Sequence, residues 1–138
     1  MICTVVIPLD GSNLGEKALP YAKAIAGRVG ASLVLLQVVP PDAPAQRVDE
    51  ARAYLEQQAK TLGTRVEIDV PLGQPPEEII TVAERHRDAL IVMTTHGRSG
   101  IGKWLFGCVA DRVVHASTVP VLLIRAGAAG PKMPPFQS

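Results

Sequence analysis

Residues 89–117 read ALIVMTTHGRSGIGKWLFGCVADRVVHAS, which places a strand, a glycine-rich loop and a helix in succession. The apolar run at 89–94 predicts a buried strand, and the apolar spacing over 109–117 predicts a helix. A glycine-rich loop that enters a helix brings bare backbone N–H groups and the positive end of the helix dipole together. This arrangement is typical of a phosphate site, so a nucleotide is the first ligand that the sequence suggests.

The composition is that of one folded domain. The chain has 138 residues, of which 47% are hydrophobic, and this is enough to build a core. A net charge of +1 and an aromatic content of 4% offer neither a basic nor a base-stacking surface for nucleic acid. The amino terminus lacks the features of a signal peptide, and no apolar run approaches the roughly 20 residues that span a bilayer. We expect a cytoplasmic protein with no nucleic-acid or membrane partner.

The two cysteines, Cys3 and Cys108, are too few for a disulfide framework and lack metal-site spacing. We therefore expect no metal held by protein side chains. Cys3 lies in the first apolar run and is expected in the core. Cys108 lies near a helix start, where a thiol can become reactive. An inert small residue is the other interpretation of Cys108.

Similar patterns extend outward from the central segment. Strands are predicted at 2–9, 32–39, 64–70 and 119–124, and helices at 14–29, 44–62 and 75–86. Residues 64–70 alternate apolar and polar side chains, which indicates an edge strand with one wet face. The alternation of strands and helices predicts an α/β fold, with a five-stranded parallel sheet and helices on both faces.

In such sheets, ligands bind outside the carboxyl ends of the strands, where the strand order reverses. The first strand ends at Asp10 and the fourth ends at Thr94, so both residues are expected at this rim. Asp10 also begins a turn, and capping of that turn by its carboxylate is the alternative role. Residues 126–138, rich in Gly and Pro, are expected to form a flexible tail.

Several motifs in a fixed order give the chain a resemblance to a known family. They are VIPLDGS at 6–12, the strand at 33–39, DALIVM at 88–93, THGRSG at 95–100, LFGCVADRV at 105–113 and PVLLIR at 120–125. Over residues 1–125 the chain resembles the universal stress proteins. The resemblance implies a Rossmann-like domain of the adenine nucleotide alpha hydrolase-like type. It also implies a regulatory homodimer in stress, paired through the edge strand at 119–124.

The ATP-binding branch of that family carries the motif G-x2-G-x9-G-[ST]. Thr94, Gly97, Gly107 and Cys108 align with its four defined positions, so two positions match and two depart. The resemblance implies that Asp10 holds the ribose region and that the backbone at Val38 reads adenine beside Pro8. It also implies that the loop from Gly97 and the helix start after Gly107 hold the phosphates.

The nucleotide-binding candidates lie on three strand ends, the loop and the helix start. They are Pro8, Leu9, Asp10, Val38, Met93, Thr94, His96, Gly97, Arg98, Gly100, Gly107, Cys108, Val109 and Ala110. The expected ligand is ATP, with any Mg²⁺ held by its phosphates, and AMP and ADP are alternatives.

The two departures weaken the expected site without removing its backbone donors. Cys108 keeps its backbone N–H but replaces a hydroxyl donor by a weak thiol donor. Thr94 puts a β-branched side chain where bare backbone would approach the ligand, although its hydroxyl could donate to that ligand. We expect weakened ATP binding. A protein-interaction module of the same fold is the alternative.

Three enzyme interpretations have less support. The run Gly97-x4-Gly102-Lys103 imitates a P-loop, but Trp104 replaces the Ser or Thr that would hold Mg²⁺. His96 could act as a base, yet no nucleophile or acid partner is identifiable, so a structural role is favoured. Thiol chemistry at Cys108 is the third. No base for water and no carboxylate cluster for Mg²⁺ can be identified, so at most slow ATP turnover is expected.

Overall fold

Five strands form one sheet in the computed structural model, which describes residues 1–95 and 106–125, leaving out the side chains of residues 106 and 107. The strands are β1 (Thr4–Pro8), β2 (Ser32–Leu36), β3 (Val66–Asp69), β4 (Ala89–Thr95) and β5 (Val121–Arg125). Their order across the sheet is β3-β2-β1-β4-β5, and all neighbouring pairs are parallel. The predicted five-stranded parallel α/β sheet is confirmed.

Four helices connect the strands. They are α1 (Leu19–Val29), α2 (Ala45–Leu62), α3 (Pro75–Arg85) and α4 (Phe106–Ala116), and a 3-10 turn (Gly15–Ala18) precedes α1. The single helix predicted over 14–29 is therefore divided. Pro20 has no N–H to continue an α-helix backwards, so the preceding turn adopts the tighter 3-10 form and α1 begins with Pro in its first turn.

The ends of several elements differ from their predicted bounds. The strands predicted at 2–9 and 32–39 are shorter in the structure, because apolarity reports burial and burial continues beyond the hydrogen-bonded ladder. Val39, for example, is buried but forms only an isolated bridge with Leu72. The helix predicted from residue 109 begins at Phe106, so the last glycine of the loop lies inside its first turn.

The two faces of the sheet bury separate cores, as predicted. Val5 and Leu33 point to the face covered by α1 and α2, whereas Val6 and Val34 point to the face covered by α3 and α4. This alternation follows from the two-residue period of a strand. The predicted edge position of the 64–70 segment is also confirmed, since β3 is the outermost strand and its Glu67 is exposed.

The sheet opens between β1 and β4 at their carboxyl ends. β1 pairs with β2 as far as Pro8↔Leu36, but it pairs with β4 only as far as Val6↔Ile91. Beyond that point β4 continues alongside β5 alone, to Thr95↔Arg125. The strand order reverses at this same place, so the topology sets a crevice where doubly wound sheets bind ligands. No helix within the described ranges is both long and apolar enough to cross a bilayer.

Candidate functional site

The candidate site lies at the carboxyl rim where β1 and β4 separate. Pro8, Leu9 and Asp10 reach the rim at the end of β1, and Met93 and Thr94 reach it near the end of β4. Val38 follows β2, the strand on the other side of β1. All six are buried. The fold therefore brings the predicted residues of three strands to one rim.

Asp10 organises the loop that follows β1. Its carboxylate is only 1% exposed, and Oδ1 accepts hydrogen bonds from the Ser12 amide at 2.9 Å and the Ser12 hydroxyl at 2.5 Å. The Ser12 Oγ in turn accepts a hydrogen bond from the Gly15 amide at 3.4 Å. This is the Asx turn that the sequence allowed for Asp10. The turn fixes the carboxylate at the rim, and the ribose contact stays a prediction.

Tyr54 of α2 contacts the segment that follows this turn. Its hydroxyl donates to Glu16 Oε2 at 2.6 Å. Burial raises the pKa of Tyr54 well above its usual range, and the hydrogen bond to Glu16 and the nearby charges of Glu16 and Asp10 raise it further. Tyr54 therefore remains a protonated donor at every physiological pH. Neither Tyr54 nor Glu16 was predicted from the sequence. A tyrosine on an amphipathic helix carries no local signal of a hydrogen-bond partner 38 residues away.

Thr94 makes an internal contact with its hydroxyl. The residue is fully buried, and its Oγ1 donates to the Gly15 carbonyl oxygen at 3.2 Å. The side chain thus ties β4 to the 3-10 turn. The alternative that the Thr94 hydroxyl donates to a ligand competes with this bond, because the hydroxyl already donates to the chain itself.

The peptide groups of Val38 form no hydrogen bond with the described residues. The Leu9 amide donates to the Leu36 carbonyl at 2.8 Å, and the chain then turns away from β2 at Asp10. On the other side of β2, Gln37 and Val39 donate to the Asp69 and Pro71 carbonyls at 3.2 and 3.0 Å. Within the described part of the chain, no hydrogen bond involves the Val38 amide or carbonyl. Val38 is 5% exposed, so a ligand that formed hydrogen bonds with its amide and its carbonyl would do so at a position largely removed from water.

The phosphate end of the predicted site is only partly described. His96, Gly97, Arg98 and Gly100 lie outside the described residues, as do Lys103 and Trp104 of the P-loop alternative. Gly107 and Cys108 lie in the first turn of α4, where backbone N–H groups have no partner within the helix. Cys108 is exposed there with a free thiol, whereas the side chains of Val109 and Ala110 are buried against the sheet.

The expectation that Cys3 lies in the core is wrong. Cys3 lies before β1 and is only half-buried, with its Sγ at 3.8 Å from Asp88 Oδ2. It belongs to the amino-terminal rim and not to the core, because β1 begins at Thr4, two residues after the start of the apolar run. Among residues 1–95 and 106–125, no three His, Cys, Asp or Glu side chains gather as a metal site would require.

A five-stranded parallel sheet with helices on both faces and a reversal of strand order between β1 and β4 defines a Rossmann-like α/β domain. Comparison with known families is more specific, since the model of the universal stress protein family matches residues 1–125. The chain belongs to this family.

Individual relatives agree with that assignment. A universal stress protein of Thermus aquaticus is 30% identical, over 91% of this chain and 100% of its own length. One of Methanocaldococcus jannaschii is 29% identical, over 88% of this chain and 81% of its own. A crystal structure of a universal stress protein in complex with cAMP superposes with a TM-score of 0.71 at 29% identity, covering 91% of this chain and 98% of that one.

Proposed function

We propose that this protein binds an adenine nucleotide in the crevice at the carboxyl rim and acts as a regulatory homodimer in a stress response. The amide and carbonyl of Val38, which form no hydrogen bond with the described residues, carry the proposal. Adenine offers an acceptor nitrogen beside a donor amino group, which is the complement of a peptide N–H beside a C=O. A family member that is 29% identical has been solved with cAMP, an adenine nucleotide.

The other parts of the nucleotide follow from the same layout. The Asp10 carboxylate is held at the rim by Ser12, and it is a suitable acceptor for ribose hydroxyls. The first turn of α4 supplies N–H groups and dipole for phosphates, and Cys108 contributes its backbone there. ATP, with any Mg²⁺ held by its phosphates, is the proposed ligand. AMP and ADP fit the base and ribose positions equally well.

Regulation rather than fast turnover is the proposed mode of action. Fast phosphoryl transfer usually needs carboxylates that hold Mg²⁺ beside the phosphate, and no such cluster is present among the described residues. Binding would shift the protein between ligand-free and ligand-bound states, with at most slow hydrolysis. We place this activity in the cytoplasm.

The Val38 backbone supplies the sharpest test. Val38→Pro deletes the amide donor, and Val38→Ala trims the side chain but keeps the donor. We expect Mg-ATP to bind the nucleotide-stripped wild type and the Ala variant alike in isothermal titration. We expect the Pro variant to bind about tenfold more weakly, because one hydrogen bond in a dry site contributes roughly 1–2 kcal/mol.

Circular dichroism of each variant controls for misfolding. If a folded Pro variant bound Mg-ATP with the same affinity as the wild type, the base would not bind to the Val38 amide. Absence of heat from the wild type, with no nucleotide found in the purified protein by mass spectrometry, would favour the second candidate function.

That second candidate is a protein-interaction module of the same fold without nucleotide. Thr94 favours it, because its side chain replaces a glycine of the family motif and its hydroxyl is already bonded to Gly15. Cys108 favours it too, as it lacks the hydroxyl of the motif. The backbone donors at Val38 and at the start of α4 are independent of both side chains, and this makes nucleotide binding the better supported function.

A further inference from the structure

Gln37 carries a buried polar atom that the fold leaves without a partner. Its side-chain Oε1 is shielded from solvent, and no donor in the described part of the chain reaches it. A buried amide oxygen without a donor destabilises the folded state. Native proteins keep such groups mainly where a ligand or a bound water completes them.

The position of Gln37 points to the ligand. It comes directly after the last residue of β2 and directly before Val38. Its own backbone is held on the β3 side, by the hydrogen bond from its amide to the Asp69 carbonyl at 3.2 Å. Two consecutive residues at the rim, Gln37 and Val38, therefore carry polar groups that have no hydrogen-bond partner among the described residues.

We propose that Gln37 is a specificity-determining residue, with Oε1 accepting a hydrogen bond from the exocyclic amino group of the bound base. This inference rests on the proposed function and deepens it. The 6-amino group of adenine has two N–H donors, one for the Val38 carbonyl and one for Gln37. Hypoxanthine has an oxygen at the same place, which cannot donate to Oε1, so an inosine nucleotide does not form this contact. The acceptor thus selects 6-amino over 6-oxo purines.

The test compares ATP with inosine triphosphate on the nucleotide-stripped full chain. Gln37→Met removes the acceptor and nearly keeps the volume, and Gln57→Met makes the same change at an exposed position of α2. We expect the wild type and Gln57→Met to prefer ATP. We expect Gln37→Met to bind ATP about tenfold more weakly and inosine triphosphate unchanged, a difference of about 1.4 kcal/mol.

Thermal unfolding without nucleotide gives a second readout. Gln37→Met should match or exceed the wild-type Tm, because it removes a buried acceptor that has no partner in the free protein. A lower Tm together with equal losses for both nucleotides would mean a structural role and overturn the inference. An unchanged ATP preference in Gln37→Met would also overturn it, while leaving nucleotide binding intact. No heat from wild type with either nucleotide would overturn the proposed function and this inference together.

Discussion

Thr94 is the residue whose role changed most between motif and structure. As a sequence position it replaces a glycine, which suggests steric interference with a ligand. In the fold its hydroxyl donates to the Gly15 carbonyl, so the side chain is directed into a contact between β4 and the 3-10 turn. The residue that departs from the binding motif therefore forms a hydrogen bond between two elements that both border the crevice.

This tie predicts a measurable loss of stability. Thr94→Val keeps the shape of the side chain but removes the hydrogen bond from Thr94 to the buried Gly15 carbonyl. We expect the free energy of unfolding to fall by about 1–2 kcal/mol in urea denaturation. Thr4→Val is the matched control. Thr4 is also a buried strand threonine, but no hydrogen bond of the described residues involves its hydroxyl. Equal effects of the two substitutions would mean that the bond to Gly15 contributes nothing.

At the scale of elements, the 3-10 turn is held from two sides. Thr94 of β4 bonds its first residue, Gly15, and Tyr54 of α2 bonds Glu16 next to it. The Asp10–Ser12 turn enters it and is bonded to the Gly15 amide. A short 3-10 segment has little stability of its own. Its geometry, and with it the place of the Asp10 carboxylate, therefore depends on these external contacts.

The Tyr54–Glu16 bond should appear in a double-mutant cycle. We expect Tyr54→Phe to lower the free energy of unfolding by about 1–2 kcal/mol. We expect a much smaller effect in a Glu16→Ala background, since the acceptor is then already absent. Additive effects would contradict a direct bond between the two side chains.

The same bond predicts a pH dependence with a definite sign. The folded-state pKa of Tyr54 is raised, so the folded chain holds this proton more tightly than the unfolded chain does. Its contribution to stability is complete below the unfolded pKa of about 10 and is lost as the pH rises above it. Above about pH 10, the free energy of unfolding of the wild type should therefore decrease more steeply with pH than that of Tyr54→Phe. Urea denaturation at a series of pH values measures both.

At the scale of the whole molecule, the sheet has two different edges. β3 and β5 are the two edge strands, and each pairs with one neighbour in the sheet. β3 is short and half-buried, whereas β5 carries an exposed leucine, Leu123. An unpaired apolar edge strand is a template for pairing with another chain. This supports the proposed homodimer through residues 119–124.

The dimer proposal is tested by charging one edge and then the other. Leu123→Asp places a carboxylate in the β5 edge, and Leu72→Asp makes the same change beside β3, where Leu72 is likewise exposed. Analytical ultracentrifugation should find the wild type and Leu72→Asp as dimers and Leu123→Asp as a monomer. A wild-type monomer, or a dimer that survives Leu123→Asp, would rule out pairing through this edge.

The fold class and the rim of the site could be predicted from the amino-acid sequence. Apolar periodicity and turn residues are local signals, so they predicted five strands, the alternating helices and the placement of Asp10 and Thr94 at one edge. The motifs likewise predicted the family, which the match over residues 1–125 confirms.

Which polar groups find hydrogen-bond partners, and which have none among the described residues, could be seen only in the folded protein. The partners of Thr94 and Tyr54 lie 79 and 38 residues away along the chain, and no local pattern encodes them. Among the described residues, the Val38 peptide groups lack partners because β1 does not continue alongside β2 beyond Leu9, and Gln37 Oε1 lacks one because no donor lies near it in space. Hydrogen-bond satisfaction is a property of neighbours in space, which is why the sequence could indicate the rim and could not identify Gln37 within it.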